Sequence, residues 1–264
     1  MACSEVISLA TAAATSLAGI LEPDLGDLVD VSKLDDLPDW HVAEYDFSHP
    51  HFETDWRRSQ VALQQNDLLL SLEPHKAGQN LFVSGSIRHQ HRTHFGRYQA
   101  RLRRAAGQGL VTGLFVYTGP PYGTRHDEID IEFLGKDTGG IHLATFVDGV
   151  LSNWFVPLGF DAAHASRLYG FDWYPDRLIW HVDGCEIFRI EGPDAPIPKT
   201  PGFMFANLWA VDHALENWAG VPEQDAKASA IFSEFSFTPF GPAETAATKA
   251  KILSKGSADL RFGE

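Results

Sequence analysis

Residues 126 to 133 alternate acidic with apolar side chains in the sequence HDEIDIEF, and this run most constrains how the chain can fold. Because successive side chains of a β-strand point to opposite faces, Glu128, Asp130 and Glu132 are predicted to share one face. The two isoleucines between them and Phe133 would line the other face. On an α-helix the same spacing would leave no coherent apolar stripe. The run therefore predicts a central β-strand carrying three carboxyl groups on one side.

Carboxyl groups arranged in this way suit acid–base and nucleophilic chemistry. Two glutamates separated by a third acid can divide into a nucleophile and a proton donor, the middle acid moving their pKa values apart. Retaining glycoside hydrolysis needs two carboxyl groups about 5 Å apart, whereas positions four apart on a flat strand are about 13 Å apart. Sheet curvature and converging side chains would have to close that gap. A structural or calcium-binding acidic strand is the alternative.

Composition favours an all-β protein without a nucleic-acid or membrane partner. The 264 residues suffice for one large domain, and frequent aromatic residues, Gly and Pro with only 2 Met suit a turn-rich sandwich. A net charge of -14 argues against nucleic acid and anionic membrane surfaces. No stretch is apolar enough to span a bilayer.

Several blocks of the chain resemble family-16 glycoside hydrolases, particularly bacterial lichenases. The acidic run, continued by Phe133 to Thr138, is similar to the active-site strand of that family. Further blocks agree in order and spacing: Phe95 to Tyr98, Gly109 to Gly119, Leu158 to Asp161, Tyr169 to Trp173, Val182 to Gly184, Asn207 to Trp209 and Trp218 to Gly220. The resemblance covers roughly residues 52 to 240. Several separate motifs identify a family more specifically than one motif does.

This resemblance implies a β-jelly-roll sandwich of two curved antiparallel sheets with an open concave cleft. We expect the sandwich to span residues 39 to 241. Residues 1 to 38 are expected to be an N-terminal extension, in part a helix from Ser4 to Leu21, and residues 242 to 264 a mobile polar tail.

The predicted strands include Val61 to Leu63, Leu68 to Leu72, Leu81 to His94, Tyr98 to Leu102, Leu110 to Tyr117, Ile141 to Phe146, Tyr169 to Trp173, Leu178 to Val182, Phe203 to Trp209 and Ile231 to Phe237. Asp183-Gly184 predicts a tight hairpin. Trp173 and Trp180 are predicted core residues. Arg88, Gln90 and Arg92 are predicted to share one face of their strand.

The resemblance also implies a mechanism. Glu128 would be the nucleophile that forms a glycosyl-enzyme, Glu132 the acid and then the base, and Asp130 the residue that tunes Glu128. Laminarinase-like relatives have an extra residue in this strand that bulges it, which this chain lacks. The expected function is therefore retaining endo-hydrolysis of a mixed-linkage β-1,3-1,4-glucan or a related exopolysaccharide. A transglycosylase of the same fold and a non-catalytic carbohydrate-binding sandwich are the alternatives.

By resemblance, the substrate contacts are Arg88, Phe115, Tyr117, His126, His142, Phe146, Asn207, Trp209 and Trp218. Aromatic faces suit sugars because axial C–H groups form an apolar surface.

Several cleft positions depart from the lichenase pattern. Ser86 stands where the family has a glutamate beside its cleft arginine, and His126 replaces a tryptophan. His142, Ala144 and Phe146 replace glutamine, asparagine and tyrosine. Since the three acids are kept, these changes predict altered specificity rather than lost activity. The imidazoles with Arg88 suggest an anionic or substituted polysaccharide as one hypothesis.

No required cofactor and no metal ligand is predicted. Structural calcium on the convex side stays open by resemblance, although Ser233 replaces an acidic ligand of the family beside Glu234. The expected partner is a polysaccharide or oligosaccharide, bound by a monomer. The family implies an extracellular or periplasmic location, but residues 6 to 20 lack the basic region of a secretory signal and follow Glu5.

Overall fold

A computed structural model describes residues 39 to 64 and 67 to 241 of the protein. The strands are β1 (Trp40–Val42), β2 (Thr54–Trp56), β3 (Val61–Gln64), β4 (Asp67–Pro74), β5 (Phe82–Ser84), β6 (Ser86–His89), β7 (Gly96–Arg103), β8 (Leu110–Thr118), β9 (Asp127–Leu134), β10 (Gly140–Val147), β11 (Val150–Pro157), β12 (Arg167–Trp173), β13 (Arg177–Val182), β14 (Cys185–Glu191), β15 (Phe203–Ala210) and β16 (Ala228–Pro239). Helical structure comprises α1 (Glu216–Ala219) and 3₁₀ turns at Arg58–Gln60, Pro120–Tyr122 and His213–Leu215.

Across the two described ranges, no helix has the length and apolar character needed to cross a membrane. The predicted N-terminal extension and C-terminal tail lie outside the described residues.

The strands form two sheets. A seven-stranded sheet has the order β1-β6-β15-β8-β9-β10-β11, and a nine-stranded sheet has the order β14-β13-β12-β7-β16-β4-β5-β2 with β3 paired to β4. The prediction of an all-β jelly-roll sandwich is confirmed. One pairing differs from the expected antiparallel pattern, since β2 and β5 run parallel. The acidic strand is β9, which lies between β8 and β10 and is therefore interior, as predicted.

The core lies between the sheets, because side chains alternate along the strands. In β7 the residues Tyr98, Ala100 and Leu102 are fully buried, while those between them are half-buried or exposed. Trp173 and Trp180, both predicted core residues, are 1% and 0% exposed. Burial of such large rings removes much apolar surface from water and supplies a large share of the stabilisation.

Two Asp-Gly pairs make the tight hairpins of the sandwich. Asp183 and Gly184 have φ values of 50° and 78° and connect β13 to β14, which confirms the predicted turn. Asp148 and Gly149, with φ values of 52° and 80°, connect β10 to β11 in the same way. Positive φ at both central positions is typical of a type I′ turn. The second hairpin fixes the strand that lies beside the three acids.

The single strand predicted from Leu81 to His94 is wrong, because the chain changes sheets in its middle. β5 pairs with β4 in the nine-stranded sheet, whereas β6 pairs with β15 in the seven-stranded sheet. At the crossing, a Cβ on Gly85 would lie 2.5 Å from the carbonyl oxygen of Gln60, so a side chain does not fit. Gln90 and Arg92 follow the end of β6 and are not strand residues on the face of Arg88.

Asp127 joins the start of β9 to two other segments of the chain. Its side chain is 0% exposed and forms an ion pair of 3.1 Å with Arg125. It accepts backbone N–H bonds from Asp148 (3.0 Å), Lys199 (2.9 Å) and Thr200 (3.0 Å). Burial raises the pKa of the Asp127 carboxyl, but these hydrogen bonds outweigh it and lower the pKa overall. The charged carboxylate therefore fastens the β10–β11 hairpin and the loop before β15 to the acidic strand.

Candidate active site

The three acids of β9 lie on the face of the seven-stranded sheet that points away from the core, which we call the cleft face. Ile129 and Ile131, the residues between them, are buried in the core as predicted. Asp130 is 5% exposed, whereas Glu128 and Glu132 are partly exposed. The two outer acids are therefore accessible from the cleft, and the middle acid is enclosed between them.

Each of the two strands that flank β9 places one residue opposite each acid. The neighbours are Tyr117 and Phe146 for Glu128, Phe115 and Ala144 for Asp130, and Gly113 and His142 for Glu132. Directly opposite residues of an antiparallel pair share a face of the sheet. Four of the predicted substrate contacts, namely Phe115, Tyr117, His142 and Phe146, therefore lie on the cleft face next to the acids.

Burial and mutual repulsion distribute the protons of the acids unequally. Burial, followed by the charges of Glu128 and Glu132, raises the pKa of Asp130 well above its ordinary value. Burial, followed by the charge of Glu128, raises the pKa of Glu132 to about 8. Glu132 therefore keeps its proton at neutral pH, and the negative charge to which both neighbours respond resides on Glu128. The strand thus separates a proton donor from an anionic group.

His126 contacts Glu128 directly. Its Nε2 lies 2.7 Å from Oε2 of Glu128, and because an ionised carboxylate only accepts, the imidazole N–H donates. The ring stacks on Phe146 with centroids 4.5 Å apart, and Tyr117 meets it edge-on at 5.3 Å. These two aromatic contacts hold the imidazole, so the hydrogen bond fixes one oxygen of Glu128. The predicted sugar contact His126 is thus also the immediate partner of the anionic acid.

Replacing Asp130 with Asn is expected to raise the melting temperature by about 3 °C or more near pH 8. The unfolded chain releases the Asp130 proton near its ordinary pKa of about 4, whereas the folded chain retains it, so stability falls as pH rises above that value. Asn removes this cost, and Oδ2 of Asp130 has no hydrogen-bond partner to lose among the described residues. Calorimetry should show the gain vanishing near pH 3, where both states are protonated. A gain that is the same at both pH values would contradict this explanation.

Aromatic rings extend the cleft face from the acids toward β6. Phe115 stacks on Phe205 with centroids 4.9 Å apart and an interplanar angle of 5°, and Tyr117 meets Phe205 edge-on at 6.1 Å. Phe115 and Tyr117 are half-buried. Phe203 and Phe205 were not among the predicted contacts, although their alternation with Asn207 along β15 could have indicated them.

Arg88 lies on the cleft face at the far side of β15. Its Cα is opposite Phe205, and its guanidinium lies 4.6 Å from the ring centroid of Phe203 and 5.5 Å from that of Tyr122. Ser86, two residues earlier on the same face, is opposite Asn207 and carries no charge. Arg88 is therefore three strands away from the acids, surrounded by aromatic rings.

Asn207 lies close to Glu132 because a glycine makes room for its amide. Asn207 is opposite Gly113 on β8, and Gly113 is in turn opposite Glu132 on β9. A Cβ on Gly113 would lie 2.6 Å from Oδ1 of Asn207. That oxygen is buried and has no hydrogen-bond partner among the described residues.

The two predicted tryptophan contacts occupy different environments. Trp218 is half-buried, and its indole N–H donates to Nδ1 of His142 at 3.3 Å. Trp209 is only 5% exposed, because Phe52 stacks on it at 4.1 Å. Trp209 therefore supports the floor of the cleft and offers a sugar little free surface, in contrast to the direct contact predicted from the sequence. Phe52, which covers it, was not identified from the sequence.

The positions that resemble a calcium site include Ser233 and Glu234. Ser233 carries no carboxylate, and the carboxylate of Glu234 pairs with Arg101 at 2.9 Å. Over residues 39 to 64 and 67 to 241, no group of three His, Cys, Asp or Glu side chains is placed to hold a metal ion.

Two partly exposed carboxyl groups on one strand of an aromatic-lined jelly-roll face are the groups that carboxylate-dependent glycosidases use. The chain belongs to the glycosyl hydrolases family 16, whose sequence profile matches residues 48 to 227.

Similar proteins and a similar solved structure support this family assignment. The β-glucanase of Bacillus subtilis strain 168 is 36% identical over 187 residues, which cover 69% of this chain and 75% of that protein. A β-glucanase of Acetivibrio thermocellus is 33% identical over 207 residues, which cover 78% of this chain but only 60% of that longer protein. The crystal structure of a prokaryotic β-1,3-1,4-glucanase (lichenase) derived from a mouse hindgut metagenome is 30% identical, with a TM-score of 0.72 over 76% of this chain and 93% of that structure.

Proposed function

We propose that this protein is a retaining endo-β-glucanase that cleaves a mixed-linkage β-1,3-1,4-glucan or a related exopolysaccharide. The observation that carries the proposal is the geometry of β9, where Glu128 and Glu132 are partly exposed on the cleft face with buried Asp130 between them. The names of the relatives, β-glucanase and lichenase, support the substrate class. An open cleft suits endo-cleavage because a polymer can lie across it at any point along its length.

The proposed reaction is a double displacement. Glu128 attacks the anomeric carbon while Glu132 gives its proton to the leaving oxygen, which produces a glycosyl ester on Glu128 and a shortened chain. Glu132, now ionised, takes a proton from water, and this water attacks the anomeric carbon and releases Glu128. Protonated Asp130 hydrogen-bonds to Glu128 and stabilises its carboxylate before attack and as the leaving group afterwards.

A time course of mixed-linkage glucan cleavage followed by proton NMR and viscometry tests this proposal. We expect β-configured reducing ends to appear first and to mutarotate later, and viscosity to fall before reducing sugar accumulates. Early α-configured ends would exclude double displacement. Absence of cleavage on mixed-linkage glucan, laminarin and xyloglucan would exclude a β-glucanase. Added oligosaccharide acceptors distinguish a transglycosylase, which would lengthen them instead of releasing short products.

The setting of the reaction is part of the same proposal. The protein would act as a monomer, without a required cofactor, on a polysaccharide in an extracellular or periplasmic space, because a polymer does not readily cross a membrane. The net charge of -14 supports the absence of nucleic-acid and anionic membrane partners.

Replacing His126 with Phe is expected to lower kcat about tenfold or more, since Glu128 loses the donor that orients it while ring packing on Phe146 is retained. His126→Gln, whose amide can reach toward the same oxygen, should recover part of the loss. Steady-state kinetics on a soluble β-glucan should show a smaller change in KM than in kcat. Equal kcat for wild type and the Phe variant would show that the hydrogen bond is dispensable.

A further inference from the structure

Two arginine side chains converge on one aromatic ring at the β6 side of the cleft face. The guanidinium carbons of Arg88 and Arg92 lie 4.6 and 5.2 Å from the ring centroid of Phe203. Nη2 of Arg92 also donates to the backbone oxygen of Tyr122 at 2.7 Å, and Tyr122 is itself 4.7 Å from Phe203. The rings and the 3₁₀ turn at Tyr122 therefore hold two positive charges close together.

Neither guanidinium is neutralised by a carboxylate among the described residues. Of the acidic residues that follow β1, Asp46 pairs with Arg57, and Glu44 accepts from the backbone N–H of Arg58. Unpaired cations grouped in this way are unexpected in a chain with a net charge of -14. This end of the cleft therefore carries a local positive charge on an acidic protein.

The positive charge comes from the arginines and not from the neighbouring imidazole. His41 is directly opposite Arg88 on β1. Burial, followed by the charges of Arg88 and Arg58, lowers the pKa of His41, so its ring stays neutral at neutral pH. Burial, followed by the charge of Tyr122, raises the pKa of the nearby Tyr45 phenol, although Arg88 lowers it in part. This phenol therefore adds no negative charge at neutral pH.

The donor edge of Arg88 is available to a ligand. Its guanidinium carbon lies over the rings of Phe203 and Tyr122, and the described residues offer no hydrogen-bond acceptor to its N–H groups. A guanidinium without an acceptor keeps its N–H groups free for a ligand, and these match the two oxygens of a carboxylate.

We propose that the β6 end of the cleft binds a carboxylate carried by the polysaccharide, on a uronic acid or an acidic substituent. Arg88 and Arg92 would bind the carboxylate, while Tyr122 and Phe203 would pack against the sugar. This inference rests on the proposed function and narrows its substrate class to an acidic β-glucan-type polymer.

The carboxylate would be bound away from the scissile bond, by an arginine that is in register with Asp130 across the sheet. The register runs from Arg88 to Phe205, to Phe115 and to Asp130 on four adjacent strands. Three interstrand spacings amount to about 14 Å. A polymer lying across the strands would therefore reach both ends, and the arginines would select the substrate without touching the reacting atoms.

The test compares a neutral mixed-linkage glucan with the same polymer in which a minority of the C6 hydroxymethyl groups have been oxidised to carboxylates. At low ionic strength we expect kcat/KM to be about tenfold higher on the oxidised polymer, the scale of one charge-assisted hydrogen bond. The ratio should approach one near 1 M salt, where the Debye length is about 3 Å. The double substitution Arg88→Gln and Arg92→Gln should remove the preference. Arg101→Gln, on the outer face of the nine-stranded sheet, is the matched control and should retain it.

Equal kcat/KM on the two polymers, or a preference that survives the double substitution, would overturn the inference. The kcat/KM ratio of the wild-type protein at low and high salt tests the inference even if the double variant folds poorly. If neither polymer is cleaved, the proposed function fails, and calorimetric binding of the two polymers still tests the carboxylate site by itself.

Discussion

Glu128→Ala is expected to reduce cleavage of a β-glucan by about four orders of magnitude or more, the scale of removing a covalent nucleophile. Without the carboxylate of Glu128, no glycosyl ester can form at this position. Initial rates at saturating substrate measure the effect. Mass spectrometry with a slow fluorinated glycoside should show a covalent adduct on Glu128 in the wild type and none in the variant.

Binding provides the control for this substitution. The aromatic side of the cleft is unchanged in Glu128→Ala, so affinity for an oligosaccharide should stay within a few-fold of wild type. A non-catalytic sugar-binding sandwich would give a different result, namely no measurable turnover in the wild type and unchanged binding in the variant. Full turnover by Glu128→Ala would exclude double displacement through this residue.

Glu132→Gln is expected to lower kcat/KM on glucan by about 10³, within the range for loss of a general acid. In the wild type, Glu132 must carry its proton to act, and since burial and Glu128 raise its pKa to about 8, activity should hold through neutral pH and fall as pH rises through that value. The variant has no proton to lose at this position, so the alkaline fall should be absent from its pH profile.

Leaving-group chemistry separates a general acid from a structural role. An aryl glycoside whose leaving group needs no protonation should still glycosylate Glu128 rapidly in Glu132→Gln and release the phenolate, and azide, which needs no base, should restore turnover and yield a β-glycosyl azide. Glu186→Gln, on the outer face of the nine-stranded sheet, is the control and should change neither the rate nor the pH profile. An alkaline limb that persists in Glu132→Gln would assign the titration to another group.

The sequence was sufficient for features that depend on local alternation. The period of two between residues 128 and 133 placed the acids opposite the isoleucines, and the Asp183-Gly184 pair placed a hairpin. Both are decided by residues adjacent in the chain, where side-chain direction follows directly from backbone geometry. The sandwich followed from several such segments read with their resemblance to a known family.

Features that depend on contacts between distant segments were not predicted. Phe52 covers Trp209 from a loop more than 150 residues away in sequence, so an exposed tryptophan could not be distinguished from a covered one. The sheet change at Gly85 depends on the approach of Gln60, which no local pattern indicates. The stacking of His126 on Phe146 depends on the neighbouring strand, which supplies the second ring.

The contacts of Asp127 determine which side chains around the acidic strand can be substituted. It holds the two bordering segments through N–H groups of the main chain at positions 148, 199 and 200, which every residue except proline supplies. Side chains on those segments can therefore be exchanged while the attachment survives. Selection for new polymers, in nature or in the laboratory, can act on the margins of the cleft face without loosening the strand that carries the three acids.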